Sequence, residues 1–144
     1  MSTALVDISY DLVDGIFDIL NGNVVYTGIT YPVYKSIPKT PSSVYVHIGD
    51  ILHGEDGTKD DFDYYGTVQV IVVDESSQGG DKKKAQAILG IVRGLLKPTK
   101  STIFSCGSRT LVIFSLESMI PVIEQADQAI TRVRLIDTYN FIIE

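Results

Sequence analysis

Leu5, Ile8, Leu12, Ile16 and Ile19 recur every three or four positions and so share one face of a helix at the start of the chain. Asp7, Asp11, Asp14 and Asp18 form a second stripe at the same period, and Asn21-Gly22-Asn23 supplies a stop. The stretch from Val24 to Tyr34 is β-prone, with Gly28 as its turn. Pro32, Pro38 and Pro41 argue against a central strand beyond it, so Tyr34 to Ser43 reads as an irregular arm or edge segment.

Val44, Val46, Ile48 and Leu52 alternate with Tyr45, His47 and Ile51, the pattern of a strand with one apolar face. The polar, glycine-bearing run His53 to Asp63 is expected to be a solvated hairpin loop. A second alternating strand follows, with Phe62, Tyr64, Val68, Val70 and Val72 on one side. Ile71 and Val73 on its other side predict an end covered on both faces.

Ser76 to Gly80 breaks that strand, and Asp81 is placed to cap a helix. Ala85, Ile88, Leu89, Val92, Leu95 and Leu96 give this helix its apolar side, and Pro98 ends it. Leu111 to Met119 reads as a strand. The run Ala129 to Glu144 reads as another, with Val133, Leu135, Tyr139, Phe141 and Ile143 on one side, interrupted by Asp137. Two amphipathic helices suffice to cover one face of such a sheet. The fold class predicted is α+β: a two-layer sandwich with a mainly antiparallel sheet of about four main strands covered by two helices.

At 144 residues the chain reads as one domain, 1–144, large enough for a single core. No apolar run reaches the roughly 20 residues that span a bilayer, so no membrane partner is expected. The first residues lack the basic and apolar regions of a signal peptide. The lone Cys106 excludes an internal disulfide and fits a reducing compartment. A net charge of −6 argues against tightly held nucleic acid, which is gripped through clustered Lys and Arg.

Val33-Tyr34-Lys35-Ser36-Ile37-Pro38 followed by Ser43-Val44-Tyr45-Val46-His47-Ile48-Gly49-Asp50 is similar to the early part of the tail-terminator and tail-completion proteins of tailed bacteriophages. Thr67 to Val73, the turn Ser76 to Gly80, and the Ala85, Ile88, Val92, Leu95, Leu96 helix resemble that family's strand, turn and helix. The closing strand through Arg134 and Phe141 fits its last strand. The sequence departs from the pattern at Tyr26 to Tyr31 and at the acidic insert. The resemblance implies a virion protein, made in the host cytoplasm, that forms a homo-oligomeric ring at the neck or tail. It would act as tail terminator or head-tail connector, touch neighbouring neck or tail proteins, and let the genome pass. It brings no catalytic residues and no cofactor.

The acidic insert carries Asp50, Glu55, Asp56, Asp60, Asp61 and Asp63 between and beyond His47 and His53. Its spacing does not fit an EF-hand loop, and the histidines are not an i, i+4 helical pair, so a solvated or partner-binding loop outweighs a metal site. Gly79-Gly80-Asp81-Lys82-Lys83-Lys84 lacks the phosphate-loop pattern. Three lysines in a first helical turn oppose the helix dipole, which marks either a solvated face or a place for an acidic partner. Cys106 has no His close in sequence, so a passive thiol is expected rather than a nucleophile. Arg132 and Arg134 read as ion-pair partners.

No constellation favours an enzyme. The interface residues expected are Glu55, Asp56, Asp60, Asp61 and Asp63 against Lys82, Lys83 and Lys84, with Tyr34 and Pro38 from the arm. The alternative is a non-viral binding or scaffolding domain of the same architecture, using Tyr26, Tyr31 and Tyr34 as exposed anchors.

Overall fold

The computed structural model describes residues 4–57, 62–76, 82–96, 105–106, 109–127 and 130–143. The first helix, α1 (Ala4–Leu20), buries Leu12, Ile16 and Leu20 completely, as its periodicity requires. It ends where Gly22 takes a left-handed φ of 80°, and the Asn23 side chain donates to the carbonyl of Ile19.

A two-residue hairpin follows, β1 (Val25–Tyr26) with β2 (Ile29–Thr30), turned by Thr27 at φ 50° and Gly28 at φ 79°. Positive φ at both turn residues matches the right-handed twist of the paired strands. Tyr31 then donates its N–H to Val24, and β3 (Val33–Tyr34) pairs in parallel with residues 46–47 of β4 (Val44–Gly57).

The main sheet has six strands in the order β3-β4-β5-β8-β7-β6. Its body is β4, β5 (Phe62–Ser76), β8 (Ile130–Ile143) and β7 (Arg109–Asp127), each antiparallel to its neighbour. The short β6 (Ser105–Cys106) pairs only with Arg109 and Thr110. The second helix, α2 (Lys82–Leu96), packs on β5, β8 and α1. The α+β sandwich expected from the pattern is the fold observed. Asp81, expected to cap α2, lies outside the described residues.

One face of the sheet builds the core. Val44, Val46 and Ile48 from β4, Val68, Val70 and Val72 from β5, and Val133, Leu135, Tyr139 and Phe141 from β8 meet Ala85, Ile88, Val92 and Leu96 of α2. Phe114 stacks on Tyr139 with ring centroids 4.9 Å apart. Asp137 falls on this buried face and is itself fully buried. Arg93 of α2 reaches it with two hydrogen bonds, Nε to Oδ2 at 2.7 Å and Nη2 to Oδ1 at 2.8 Å, and the Tyr139 hydroxyl donates to Oδ2 at 3.1 Å. That contact ties the helix layer to the sheet through a bidentate charged pair.

Three expectations are corrected. The acidic run is not a loop from His53 to Asp63: β4 continues through Gly57 and β5 begins at Phe62, with Asp56 opposite Asp63. Backbone pairing needs no burial, so a polar hairpin keeps its ladder beyond the core. The simple alternation of β4 also fails, because its register shifts between Ile48 and Ile51. The extra residue turns Ile51 toward the core side. At this bulge a Cβ on Gly49 would lie 3.2 Å from Ile71 Cδ1, so the strands approach closely there. Finally, β7 runs far past Met119. Pro121 does not end it, since the outer side of β7 has no ladder partner there among the described residues and a missing N–H costs nothing.

Candidate assembly surfaces

The outer sheet face is mixed. Tyr45, Ile71 and Val73 form a small apolar cluster with Tyr34 and Ile136 against it. The covering of both faces expected at the end of β5 is present. The arm after β3 overhangs this cluster: Ile37, Pro38, Lys39 and Pro41 line a groove of about 560 Å³ whose floor includes Tyr45 and Ile71. Tyr34 tilts against Tyr45 with centroids 5.3 Å apart, and its hydroxyl accepts from the Ser42 N–H at 3.3 Å. Lys35 Nζ bonds Asp14 at 2.9 Å and sits 4.8 Å from the Phe17 ring centroid, fixing the arm's root to α1.

Charges on the outer face are paired with one another. Arg132 bridges Glu75 at 3.1 Å and Glu124 at 3.2 Å, and Arg134 stands 3.6 Å from Glu124. This is the ion-pair role that their strand position predicted. Burial lowers the Arg132 pKa, but hydrogen bonds to Glu124 and Glu75 outweigh it and the net shift is upward. Tyr45 is pushed up by burial and by Glu75, against a pull from the two arginines. Tyr139 is pushed up by burial and by Asp137. The hydrogen bond to Asp137 raises Arg93.

The sequence-predicted interface residues fall at two ends of the sheet. Glu55 and Asp56 lie on β4, and Asp63 on β5, at the ribbon end; Asp60 and Asp61 lie outside the described residues. Lys82 opens α2, Lys83 is exposed and Lys84 half-buried. The lysines follow the far end of β5, so one strand length, roughly 45 Å, separates the two patches within a subunit. Pro38 is exposed on the arm and Tyr34 half-buried at its root. Tyr31 is buried and Tyr26 packs on the core, because the hairpin folds back onto the helix layer. The exposed-anchor set of the scaffolding alternative therefore does not exist as expected.

The sequence reading missed the outer part of β7. Residues 117–121 are all exposed, as is Ile123; Ile120 and Ile123 are each more than half exposed. An uncovered apolar segment on an open sheet edge is a place where another chain can add. The signal was available in Met119-Ile120-Pro121-Val122-Ile123, an apolar run with a proline, which is the mark of an edge strand.

Among the described residues no group of three or more His, Cys, Asp or Glu side chains could hold a metal ion. No described helix is long and apolar enough to cross a membrane.

No protein-family model matches the chain, and no curated protein matches its sequence. Solved structures do match. A chain from the virion of a native gene transfer agent particle aligns at TM-score 0.69 with 15% identity, over 94% of this chain and 98% of that one. A second, known only by a serial designation, aligns at TM-score 0.57 with 16% identity, over 92% and 94%. At these identities the likeness is one of fold, and it extends over nearly the whole of each chain.

Proposed function

We propose that this chain is a structural subunit of a phage-type virion. It forms a ring at the neck or tail, as tail terminator or head-tail connector, and leaves a channel for the genome. The observation that carries the reading is the whole-length likeness in fold to a chain of a gene transfer agent virion. The sequence resemblance to tail-terminator proteins points the same way. The role is assembly, not catalysis, and it needs no cofactor or membrane. Identical subunits join head-to-tail and the rotation closes the ring. The net charge of −6 suits a passage that DNA crosses without being held.

Within that reading, the acidic ribbon residues Glu55, Asp56, Asp60, Asp61 and Asp63 of one subunit face Lys82, Lys83 and Lys84 of another. The register supports this: Asp56 opposite Asp63 is an unfavourable like-charge pair that a basic neighbour relieves. Tyr34 and Pro38 add arm contacts.

Light scattering of purified protein and negative-stain microscopy test the ring. A symmetric multiple of 15.8 kDa with a central hole is expected. Gold-labelled antibody should mark the neck or tail end of purified particles. A monomer at every concentration, together with unlabelled particles, overturns the reading.

A further inference from the structure

The two edges of the main sheet differ in chemistry. At one edge, β7 presents Glu117-Ser118-Met119-Ile120-Pro121-Val122-Ile123-Glu124, an apolar run closed at each end by a glutamate. Cross-strand register places Met119, Pro121 and Ile123 opposite Asp137, Leu135 and Val133, and therefore on the helix side. Ile120 and Val122 lie on the outer side with Ile136 and Arg134. Both faces of this segment are uncovered, and beyond Thr110 its outer edge has no ladder partner among the described residues.

At the other edge, the exposed arm that leaves β3 reads Lys35-Ser36-Ile37-Pro38-Lys39-Thr40. This is a short apolar pair between two lysines, and the Ile37 side chain is 47% exposed. The two edge segments thus have the same apolar centre and opposite flanking charge.

We infer that the β7 edge of one subunit is covered by the Lys35–Thr40 arm of a second copy of the same chain, head-to-tail, with Ile37 against Ile120. The inference rests on the ring reading and names its lateral contact. Strand direction supports it. From β3 and β4 through β5 and β8 to β7 the direction alternates, so β7 runs opposite to β3. A neighbour added by rotation brings antiparallel segments together, and the arm leaves from the end of β3. It bends at residues 35–36 and 39–40, so it meets β7 through side chains rather than as a continued strand. With Ile37 opposite Ile120 in an antiparallel sense, Lys39 falls opposite Ser118, beside Glu117. Lys35 falls opposite Val122, two residues from Glu124.

Charge also rejects the simplest competitor. If two β7 edges paired with each other about the centre of their apolar run, Glu117 would face Glu124 of the partner at both ends, and like charges directly opposite are unfavourable. Pro121 would sit at the middle of that pairing without an N–H to give. The basic arm brings opposite charge instead, and a contact made through side chains does not need the Pro121 N–H. Lys35 and Glu124 already have internal partners, Asp14 and the two arginines, so Lys39 and Glu117 carry most of the new complementarity. Within one subunit the two edge strands are four strand spacings apart, about 19 Å across the sheet.

The test uses Ile37→Cys and Ile120→Cys, each with Cys106→Ser, purified separately with different tags and then mixed under oxidation. A disulfide-linked dimer carrying both tags is expected, and the doubly substituted chain should give a ladder on a non-reducing gel. A second measurement needs no cysteine. Glu117→Lys should weaken assembly about fivefold per interface, and Lys39→Glu in the same chain should restore it. If the unsubstituted protein assembles but the mixture gives no mixed dimer and the charge swap shows no rescue, the arm contact is wrong and the ring stands. Cross-linking of Ile120→Cys to itself shows the β7-to-β7 arrangement and also overturns the inference. An unsubstituted protein that stays monomeric removes the ring reading and this contact with it.

Discussion

Replacing Arg93 by Met tests what holds the second helix to the sheet. Met keeps the apolar stem that crosses α2 and deletes the guanidinium. Asp137 would then remain fully buried, with the Tyr139 hydroxyl as its one hydrogen-bonding partner from the present set. Removing one member of a buried pair costs about 3–5 kcal/mol, because the other charge is left uncompensated. The Arg93 side chain is 36% exposed, so water screens part of the interaction and the low end, about 3 kcal/mol, is the expected loss. For a domain of this size that corresponds to a fall in Tm of roughly 10 °C.

The complementary variant replaces the whole polar set: Arg93→Met, Asp137→Leu and Tyr139→Phe together. Apolar groups of similar volume in place of a buried ion pair are near neutral or stabilising, so the triple change should recover most of the loss. Urea and thermal melts at one fixed protein concentration measure both, which keeps assembly from entering the comparison. Two results would refute the reasoning. Arg93→Met within about 1 kcal/mol of the parent would mean that the pair is screened like a surface bridge. A triple variant no more stable than Arg93→Met would mean that the loss comes from packing rather than from a stranded charge.

Val92→Asp, at a fully buried position of α2, should cost several kcal/mol, on the order of the penalty for an unpaired buried charge, and an unchanged melt would take that face out of the core. Thr27→Asn should raise stability by about 1 kcal/mol, because a β-branched residue at φ 50° is strained and Asn is not; thermal melts decide it. Tyr45 and Tyr139 both have raised folded pKa values, so their contribution is complete below the ordinary tyrosine value of 10.0 and lost as pH climbs past it. Absorbance titration should show Tyr45 and Tyr139 ionising late, together with alkaline unfolding, and their Phe variants should remove that late phase. Reversal of Lys82, Lys83 and Lys84 to Glu should weaken assembly and flatten its salt dependence; unchanged assembly would leave both charge patches merely solvated. A map of the assembled ring should show a neutral to acidic channel, and a lining of Lys and Arg would contradict the free passage of DNA.

Periodicity was a reliable guide wherever burial alone decides position. Leu12 and Ile16 in α1, Ile88 and Val92 in α2, and Val68, Val70 and Val72 in β5 are all where their spacing requires, because one amphipathic face has one place to go. Even Asp137 is on the face its parity assigned. Its partner was not legible, since Arg93 lies 44 residues away and nothing local links a helical arginine to a strand carboxylate. The misreadings share a cause. The bulge at Gly49 and Asp50 shifts parity by one residue, so Ile51 lies on the core side, opposite to what simple alternation predicts. The ribbon beyond His53 is held by backbone pairing, which leaves no mark in hydrophobicity. Both depend on ladder geometry, to which side-chain pattern is blind.

The same limit bears on the assembly surface. A sequence pattern assigns apolar residues to the interior, and Met119 to Ile123 would be core residues by that logic. They are exposed because α2 packs on β5 and β8, and α1 on β3, β4 and the short β6, which leaves the outer part of β7 bare. A monomer gains nothing from an apolar edge that it cannot bury, and an open edge of this kind invites unwanted pairing. Pro121 and the register shifts on either side, at Leu116/Ser118 and Gln125/Asp127, limit that hazard by interrupting a continuous ladder. Glutamates at both ends add a charge barrier against a second β7. What these features leave open is a short segment suited to side-chain contact with a basic arm. In a ring every subunit offers one such edge and one such arm, so each exposed segment finds its cover without any free end remaining.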